Sequence, residues 1–305
     1  VTRHLQEAGY RVEAGDLQGT PRALNVLDKQ ALMEVTLETQ PHTFIHAAAL
    51  TSGTDLQLLE VNIRGTLNAL EAAKTAGVRH FILFSSCGVY APQAEPISED
   101  GITTTAHAYG LSKLLAEEVC RVGKSAEMTV WILRIGAVYG ASERPSTTRQ
   151  RASLIYQISQ AIQARTPTRL SRASTDIYNW LHTKDLARLL MMMVSRPSDG
   201  QTRLFNVAGP SLSVADLVKT FQRIKPEIDL GKLLEFNPNP PPRHGAIDSS
   251  RVTRELGFSP IISLEDGLQD YLGESSSPLV GEWSEAGDAE TKLGNGWDEG
   301  EPIKL

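Results

Sequence analysis

Three short apolar runs, separated by stretches of helical periodicity, constrain this chain more than any other feature. They are Thr43-Phe44-Ile45-His46-Ala47-Ala48-Ala49, Val78 to Ser85 and Thr129 to Ile135. The first is too compact for a helix and ends in small residues, the pattern of a strand buried in a parallel sheet whose carboxyl end a ligand approaches closely. Between the first two runs, Asp55 to Ala76 reads as one long helix with Leu59, Ile63, Leu67, Leu70 and Ala73 on a single stripe and Gly77 closing it. Strands alternating with helices predict an α/β chain built on a doubly wound parallel sheet. Val1 to Ala8 reads as a helix ended by Gly9, Tyr10 to Ala14 as a short strand, and Lys29 to Glu38 as a helix with Asp28 as N-cap. Toward the C-terminus, Phe205 to Gly209 reads as a strand into a turn. Ser213-Val214-Ala215-Asp216 and Ser263-Leu264-Glu265-Asp266 each open a helix.

Tyr109-Gly110-Leu111-Ser112-Lys113 carries the chemistry. A tyrosine and a lysine four apart share one face of a helix, so the ammonium favours the phenolate and makes a usable general base. Ser86, at the end of the Val78–Ser85 strand, is a hydroxyl able to share a substrate oxygen with that tyrosine while hydride moves to a nicotinamide. On spacing alone the pair also reads as an ordinary amphipathic surface pair. With Phe84-Ser85-Ser86-Cys87-Gly88-Val89-Tyr90 upstream, the chain from Val1 to about Tyr271 resembles the NAD-dependent epimerase/dehydratase branch of the extended short-chain dehydrogenase/reductase superfamily.

The resemblance implies a Rossmann-type sheet with a small C-terminal α/β lobe that closes over the substrate. Residues 1–140 are then the NAD-binding domain, 141–272 a mixture of further sheet elements and lobe, and 273–305 an acidic tail that reads as disordered. It also implies a central strand and glycine-rich turn ahead of Val1, so the chain is expected to be N-terminally incomplete and to bind NAD poorly. Asp16, at the end of the second strand, is placed to accept from the adenosine ribose, which favours NAD over NADP; otherwise it is a turn aspartate. Asn25 and Val26 hold the adenine-facing places, Ala47 and Ala48 the turn beneath the cofactor, and Asn62 a structural position. Lys113 is implied to bind the nicotinamide ribose as well as to assist Tyr109.

The substrate side departs from the family's pattern. Cys87-Gly88 stand where sugar-nucleotide dehydratases carry an Asp-Glu pair, which argues against dehydration. Cys87 reads either as a reactive thiol or as a small buried one. Ala137 stands where many relatives place an asparagine, and Tyr178 where an arginine grips a diphosphate. Arg243, after Pro240-Pro241-Pro242, is the remaining diphosphate candidate, or a surface arginine. Three readings follow: an NAD-dependent epimerase or dehydrogenase of a nucleotide-sugar alcohol, a carbonyl or sterol-like reductase, and a non-catalytic dinucleotide-binding scaffold.

Charge excludes one partner class. Of 30 basic and 36 acidic residues, two lysines and eight acids fall from Glu274 onward, leaving 28 of each before the tail. A neutral body offers no basic face for nucleic acid. No apolar stretch reaches membrane-spanning length, His42 and His46 lie about 13 Å apart on a strand and make no metal site, and two cysteines give no disulfide framework. A cytoplasmic protein is expected, and the family's four-helix pairing of the Asp55 and Tyr109 helices implies a homodimer.

Overall fold

The computed structural model describes residues 1–17, 20, 22–93, 96–104, 106–141, 143, 153–240 and 244–275; the acidic segment beyond Ser275 lies outside them. The chain opens with α1 (Thr2–Glu7), and Gly9 turns it at φ 88°. β1 (Gly15–Asp16) then pairs in parallel with β2 (Arg22–Ala23). The strand expected over Tyr10–Ala14 does not form, because those residues lie in no ladder among the described residues; pairing begins only at Gly15, and Tyr10 is exposed. α2 (Lys29–Thr39) starts where the Asp28 carboxylate accepts the Ala31 amide at 2.9 Å. β3 (Thr43–His46) leads to a continuous helical segment made of α3 (Asp55–Leu59), a π turn (Glu60–Arg64) and α4 (Gly65–Thr75). The π turn accommodates an extra residue and shifts the buried stripe. Asn62, Thr66, Ala69, Leu70 and Ala73 face inward, and Leu67, expected inside, is exposed.

β4 (His80–Ser86) runs through a 3₁₀ turn (Cys87–Val89) toward α5 (Ala108–Gly123), followed by β5 (Thr129–Ile135) and β6 (Ala137–Tyr139). Next come α6 (Leu154–Ala164), β7 (Thr168–Arg169), β8 (Ile177–His182), α7 (Thr183–Val194), β9 (Thr202–Val207) and β10 (Ser211–Ser213). The described chain closes with α8 (Val214–Ile224), α9 (Leu230–Leu233), β11 (Leu234–Glu235), α10 (Ser250–Leu256) and α11 (Leu264–Ser275).

The main sheet has the order β3-β4-β5-β9, all parallel, with Thr43 opposite His80, His80 opposite Thr129 and Val130 opposite Thr202. Alternate residues feed two cores. Phe81, Leu83, Val130 and Ile132 pack with Leu70, Ala73, Ala116 and Cys120 of α4 and α5, while Ile82, Trp131, Leu133 and Phe205 pack with Leu186, Leu190 and Met193 of α7. Helices on both faces make the sheet doubly wound. Each fully buried side chain of this size contributes about 2 kcal/mol of transfer free energy, so the sheet is held by packing from both sides. β3, expected to be fully buried, is half-buried except at His46, because it is an end strand among the described residues.

β6, β8 and β10 form a second sheet, parallel between β6 and β8 and antiparallel between β8 and β10. It packs on α6, α8 and α11 around Tyr139, Ile155, Ile158, Trp180, Phe221 and Tyr271. Ser213 and Asp216 cap α8 reciprocally, and the Ser263 hydroxyl accepts the Asp266 amide at 3.1 Å before α11. Asn179, buried, stitches this lobe together: its Nδ2 donates to Gly209 O at 3.0 Å and Ser211 Oγ at 2.8 Å, and its Oδ1 accepts the Ile247 amide at 3.2 Å.

Candidate active site

β4 delivers Ser86 at its carboxyl end, and α5 delivers Tyr109 and Lys113 from its first two turns. α5 begins there because His107, in extended backbone, caps it through Nδ1, which accepts the Gly110 amide at 2.9 Å. Two glycines bring the elements together. A Cβ on Gly110 would lie 2.9 Å from the Gly88 carbonyl oxygen, a backbone approach no side chain permits without a shift. A Cβ on Gly88 would lie 3.2 Å from Ser86 Oγ and 3.5 Å from Tyr109 Cε1. The serine hydroxyl and the tyrosine ring therefore flank one point just beyond β4. Ser86 Oγ accepts the Gly88 amide at 3.0 Å, which fixes its rotamer while leaving its proton to donate.

Lys113 lies one turn further along α5 and is only 3% exposed. Burial lowers its pKa to about 8, with Glu117 and Cys120 opposing that fall. His46, at the end of β3, is buried beside it; burial and the lysine charge hold the imidazole down at about 3, so it is neutral at ordinary pH. Its Nε2 lies 3.1 Å from Thr66 Oγ1. Asn62 holds the Leu50 backbone at both ends, accepting the amide at 2.7 Å and donating to the carbonyl at 3.0 Å. It also donates to Ser112 Oγ at 2.8 Å, so the helix that follows β3 and the catalytic-motif helix share one anchor.

Behind these groups lies a buried polar network. Glu117 accepts from Ser85 Oγ at 2.6 Å and pairs bidentately with Arg134 of β5, at 3.0 Å from Nε and 2.8 Å from Nη2. Arg134 Nη1 donates to the Tyr90 hydroxyl at 3.0 Å, and that hydroxyl donates to Asn206 Oδ1 at 2.6 Å. Burial pushes the Tyr90 phenol up to about 12, so it stays protonated as a donor. Glu99 Oε1 accepts the Asn206 amide at 2.8 Å.

The residues expected around a dinucleotide occupy strand ends. Asp16 closes β1 and is exposed, with Oδ1 accepting the Leu17 amide at 2.6 Å. Asn25 is exposed and accepts the Leu27 amide at 3.0 Å; Val26 packs where a Gly65 side chain would stand, its carbonyl accepting from Asn68 at 3.0 Å. Ala47 and Ala48, just past β3, are exposed and carry nothing beyond Cβ. The acceptor oxygens of Asp16 and Asn25 suit ribose hydroxyls and an adenine amino group, and Ala47 and Ala48 leave the chain open just past β3.

The remaining expectations divide. Cys87 is 1% exposed and donates to Arg134 O at 3.2 Å, so of its two readings the structure gives the small buried thiol. Tyr178 lies in β8 of the lobe, its ring stacked on Trp180 at 5.2 Å between centroids. Arg243 lies outside the described residues. Gly88, Gly110, Glu117 and Arg134 were missed as site-building residues. The spacing of Glu117, four after Lys113, was the available signal for the third.

A doubly wound parallel sheet with Ser86 at the end of β4, and Tyr109 and Lys113 on the adjoining α5, defines a Rossmann-type α/β chain of the dinucleotide-linked oxidoreductase class. The chain belongs to the NAD dependent epimerase/dehydratase family, whose model matches residues 1–208. It is 28% identical to a UDP-glucose 4-epimerase of Haemophilus influenzae over 81% of this chain and 79% of the relative, and 28% identical to one of Azospirillum brasilense over 71% and 69%. Among solved structures it resembles MoeE5 in complex with UDP-glucose and NAD, with TM-score 0.76, 24% identity and coverage of 90% and 93%. It also resembles the UDP-glucose 4-epimerase of Thermotoga maritima with UDP-glucose, with TM-score 0.74, 22% identity and coverage of 89% and 93%. Among the described residues no helix is long and apolar enough to cross a membrane.

Proposed function

We propose that the chain is an NAD-dependent epimerase or oxidoreductase acting on a secondary alcohol of a nucleotide sugar. The observation that carries this reading is the meeting of Ser86 Oγ and the Tyr109 ring over Gly88, with buried Lys113 four residues along the same helix. Tyr109 Oη takes the alcohol proton, Ser86 Oγ donates to the reacting oxygen, and the Lys113 ammonium stabilises the phenolate. A bound NAD would supply the hydride-accepting chemistry. Asp16, Asn25, Val26, Ala47, Ala48 and Lys113 would hold it, with Asp16 favouring NAD over NADP.

Leu56, Leu67, Leu115 and Val122, exposed on α3, α4 and α5, support a homodimer through those helices, and a cytoplasmic location fits that assembly. The division at about residue 140 between cofactor and substrate regions belongs to the same reading, as does contact of Tyr178 or Arg243 with substrate.

Proton NMR of UDP-glucose and UDP-glucuronic acid incubated with the chain and NAD tests the function. Appearance of the C4 epimer without net nicotinamide reduction is expected, and Tyr109→Phe should slow it roughly 10²–10⁴-fold. Stoichiometric nicotinamide turnover would assign a reductase or dehydrogenase instead, the reading that Ala137 and Tyr178 favour. NAD binding by calorimetry with neither product would leave a non-catalytic scaffold.

A further inference from the structure

Among the described residues, the buried carboxylate that joins the strand carrying Ser86 to the helix carrying Tyr109 and Lys113 is Glu117, itself on that helix. It is 1% exposed, and each of its oxygens has a partner outside its own helix. Oε1 takes the Ser85 hydroxyl, one residue before Ser86, and Arg134 Nε; Oε2 takes Arg134 Nη2. Arg134 is in turn fixed by the Tyr90 hydroxyl, the Glu99 carbonyl and the face of the Tyr90 ring, 4.9 Å from its Cζ. A buried pair of this kind is weak evidence of added stability, since well-packed apolar residues often do as well. Here it makes three cross-links between α5, β4 and β5 at the level of the site. It also puts a negative charge one turn from a lysine that burial would otherwise neutralise.

We propose that Glu117 is a positioning residue for the reaction site: its carboxylate locks α5 to the ends of β4 and β5, setting Tyr109 and Lys113 against Ser86, and serves as the counter-charge that keeps Lys113 an ammonium. The inference rests on the role given above to Lys113. The titratable and charged groups around Lys113 are His46 from β3, Tyr109, Glu117 and Cys120 from α5, and, through Glu117, Arg134 from β5. His46 is neutral and Cys120 stays a thiol, its pKa pushed up to about 12 by burial, so Glu117 is the anion of the set.

The test is a pH titration of lysine 13Cε resonances, with the Lys113 signal assigned by its absence in Lys113→Arg. In the native chain a midpoint near 8 is expected. Glu117→Gln keeps the shape, deletes the charge and leaves Arg134 unpaired, so the midpoint should fall by about one pH unit or more. Arg134→Gln leaves the carboxylate unneutralised and should move it the other way. Opposite movements are the signature of a counter-charge; movements in the same direction, or none, would overturn the proposal, because a loosened core affects both variants alike. If one variant does not fold, as a thermal melt would reveal, the sign of the other decides. If neither folds, the native midpoint decides, and a value below about 7 overturns the counter-charge. Because the titration needs neither NAD nor substrate, it stands apart from the proposed activity. Where turnover is measurable, Glu117→Gln should lower kcat at least tenfold with little change in KM and bring the alkaline limb down with the lysine. A turnover profile unchanged in height and pH would count against the positioning role alone.

Discussion

Gly110→Ala isolates the geometry that brings the reacting groups together. The added methyl meets three atoms: His107 Cε1 at 2.5 Å, His107 Nδ1 at 3.0 Å and the Gly88 carbonyl oxygen at 2.9 Å. The imidazole can rotate away, but doing so gives up its cap on the Gly110 amide, worth about 1 kcal/mol. The Gly88 carbonyl belongs to the backbone and must retreat by several tenths of an ångström, and overpacking of that degree costs about 1–3 kcal/mol. Against this, alanine gains up to about 1 kcal/mol over glycine within a helix. The net is a loss of about 1–3 kcal/mol, which for a chain of this size lowers Tm by roughly 2–5 °C. Activity should suffer far more. Gly88 is the point that Ser86 Oγ and Tyr109 share, and a misplacement approaching 1 Å costs on the order of 10²-fold in rate. Urea and thermal melts paired with steady-state turnover read both effects. A variant with Tm within 1 °C and turnover within about twofold of the parent would refute the close approach as what assembles the site.

Two further predictions concern pH. Because the folded pKa of Lys113 is about 8 against an ordinary 10.5, the folded chain carries the full cost of burying the ammonium below pH 8 and sheds it as pH rises toward 10.5. Lys113→Met should therefore raise the unfolding free energy at pH 7 by up to about 3 kcal/mol while abolishing turnover, its advantage shrinking between pH 8 and 10.5 in urea melts; a destabilised variant at pH 7 would contradict this. His46, about 3 when folded against an ordinary 6.5, is neutral in both states above pH 6.5, and below that the unfolded chain takes up the proton first, so stability falls with pH through this window. His46→Asn should lose about 3 kcal/mol less than the parent between pH 6.5 and pH 4, and parallel curves for the two proteins would show the imidazole is not the cause.

The sequence was most readable where one residue's character settles its place. Thr129–Ile135 is apolar on both faces and forms β5 at its expected bounds, because a central strand buries both. Asp28 and Ser213 cap helices as read, since a short acceptor side chain before a periodic run has few other uses. Tyr10–Ala14 misled because an apolar alternation makes a strand only where a neighbour supplies the ladder. Leu67 misled because a π turn ending three residues earlier alters the helical phase, and no local preference announces one. At the candidate site, Tyr109, Lys113 and Ser86 were named from residue chemistry joined to the family resemblance, since their spacing alone also suits a surface pair. What joins them was not. Glu117 and Arg134 lie 17 residues apart and look like ordinary surface charges until the sheet brings them together, and Gly88 and Gly110 signal only an absence of side chain.

The position of β9 has a consequence for how the chain comes to be folded at all. β5 and β9 are neighbours in the main sheet, yet β6, α6, β7, β8 and α7 lie between them in sequence, so two strands of the second sheet are inserted within the first while its third, β10, follows β9. A nascent chain must hold the far side of β5 unpaired until that whole insertion has emerged, and every partner in the sheet is remote in sequence. Folding should therefore be slow, on the timescale of milliseconds to seconds or longer typical of non-local pairing. No single cut yields two intact lobes, because severing the chain anywhere between Ala137 and Ser195 divides either the insertion or the strand order that encloses it. An interrupted synthesis thus leaves an adhesive intermediate where a two-domain chain would leave a finished half.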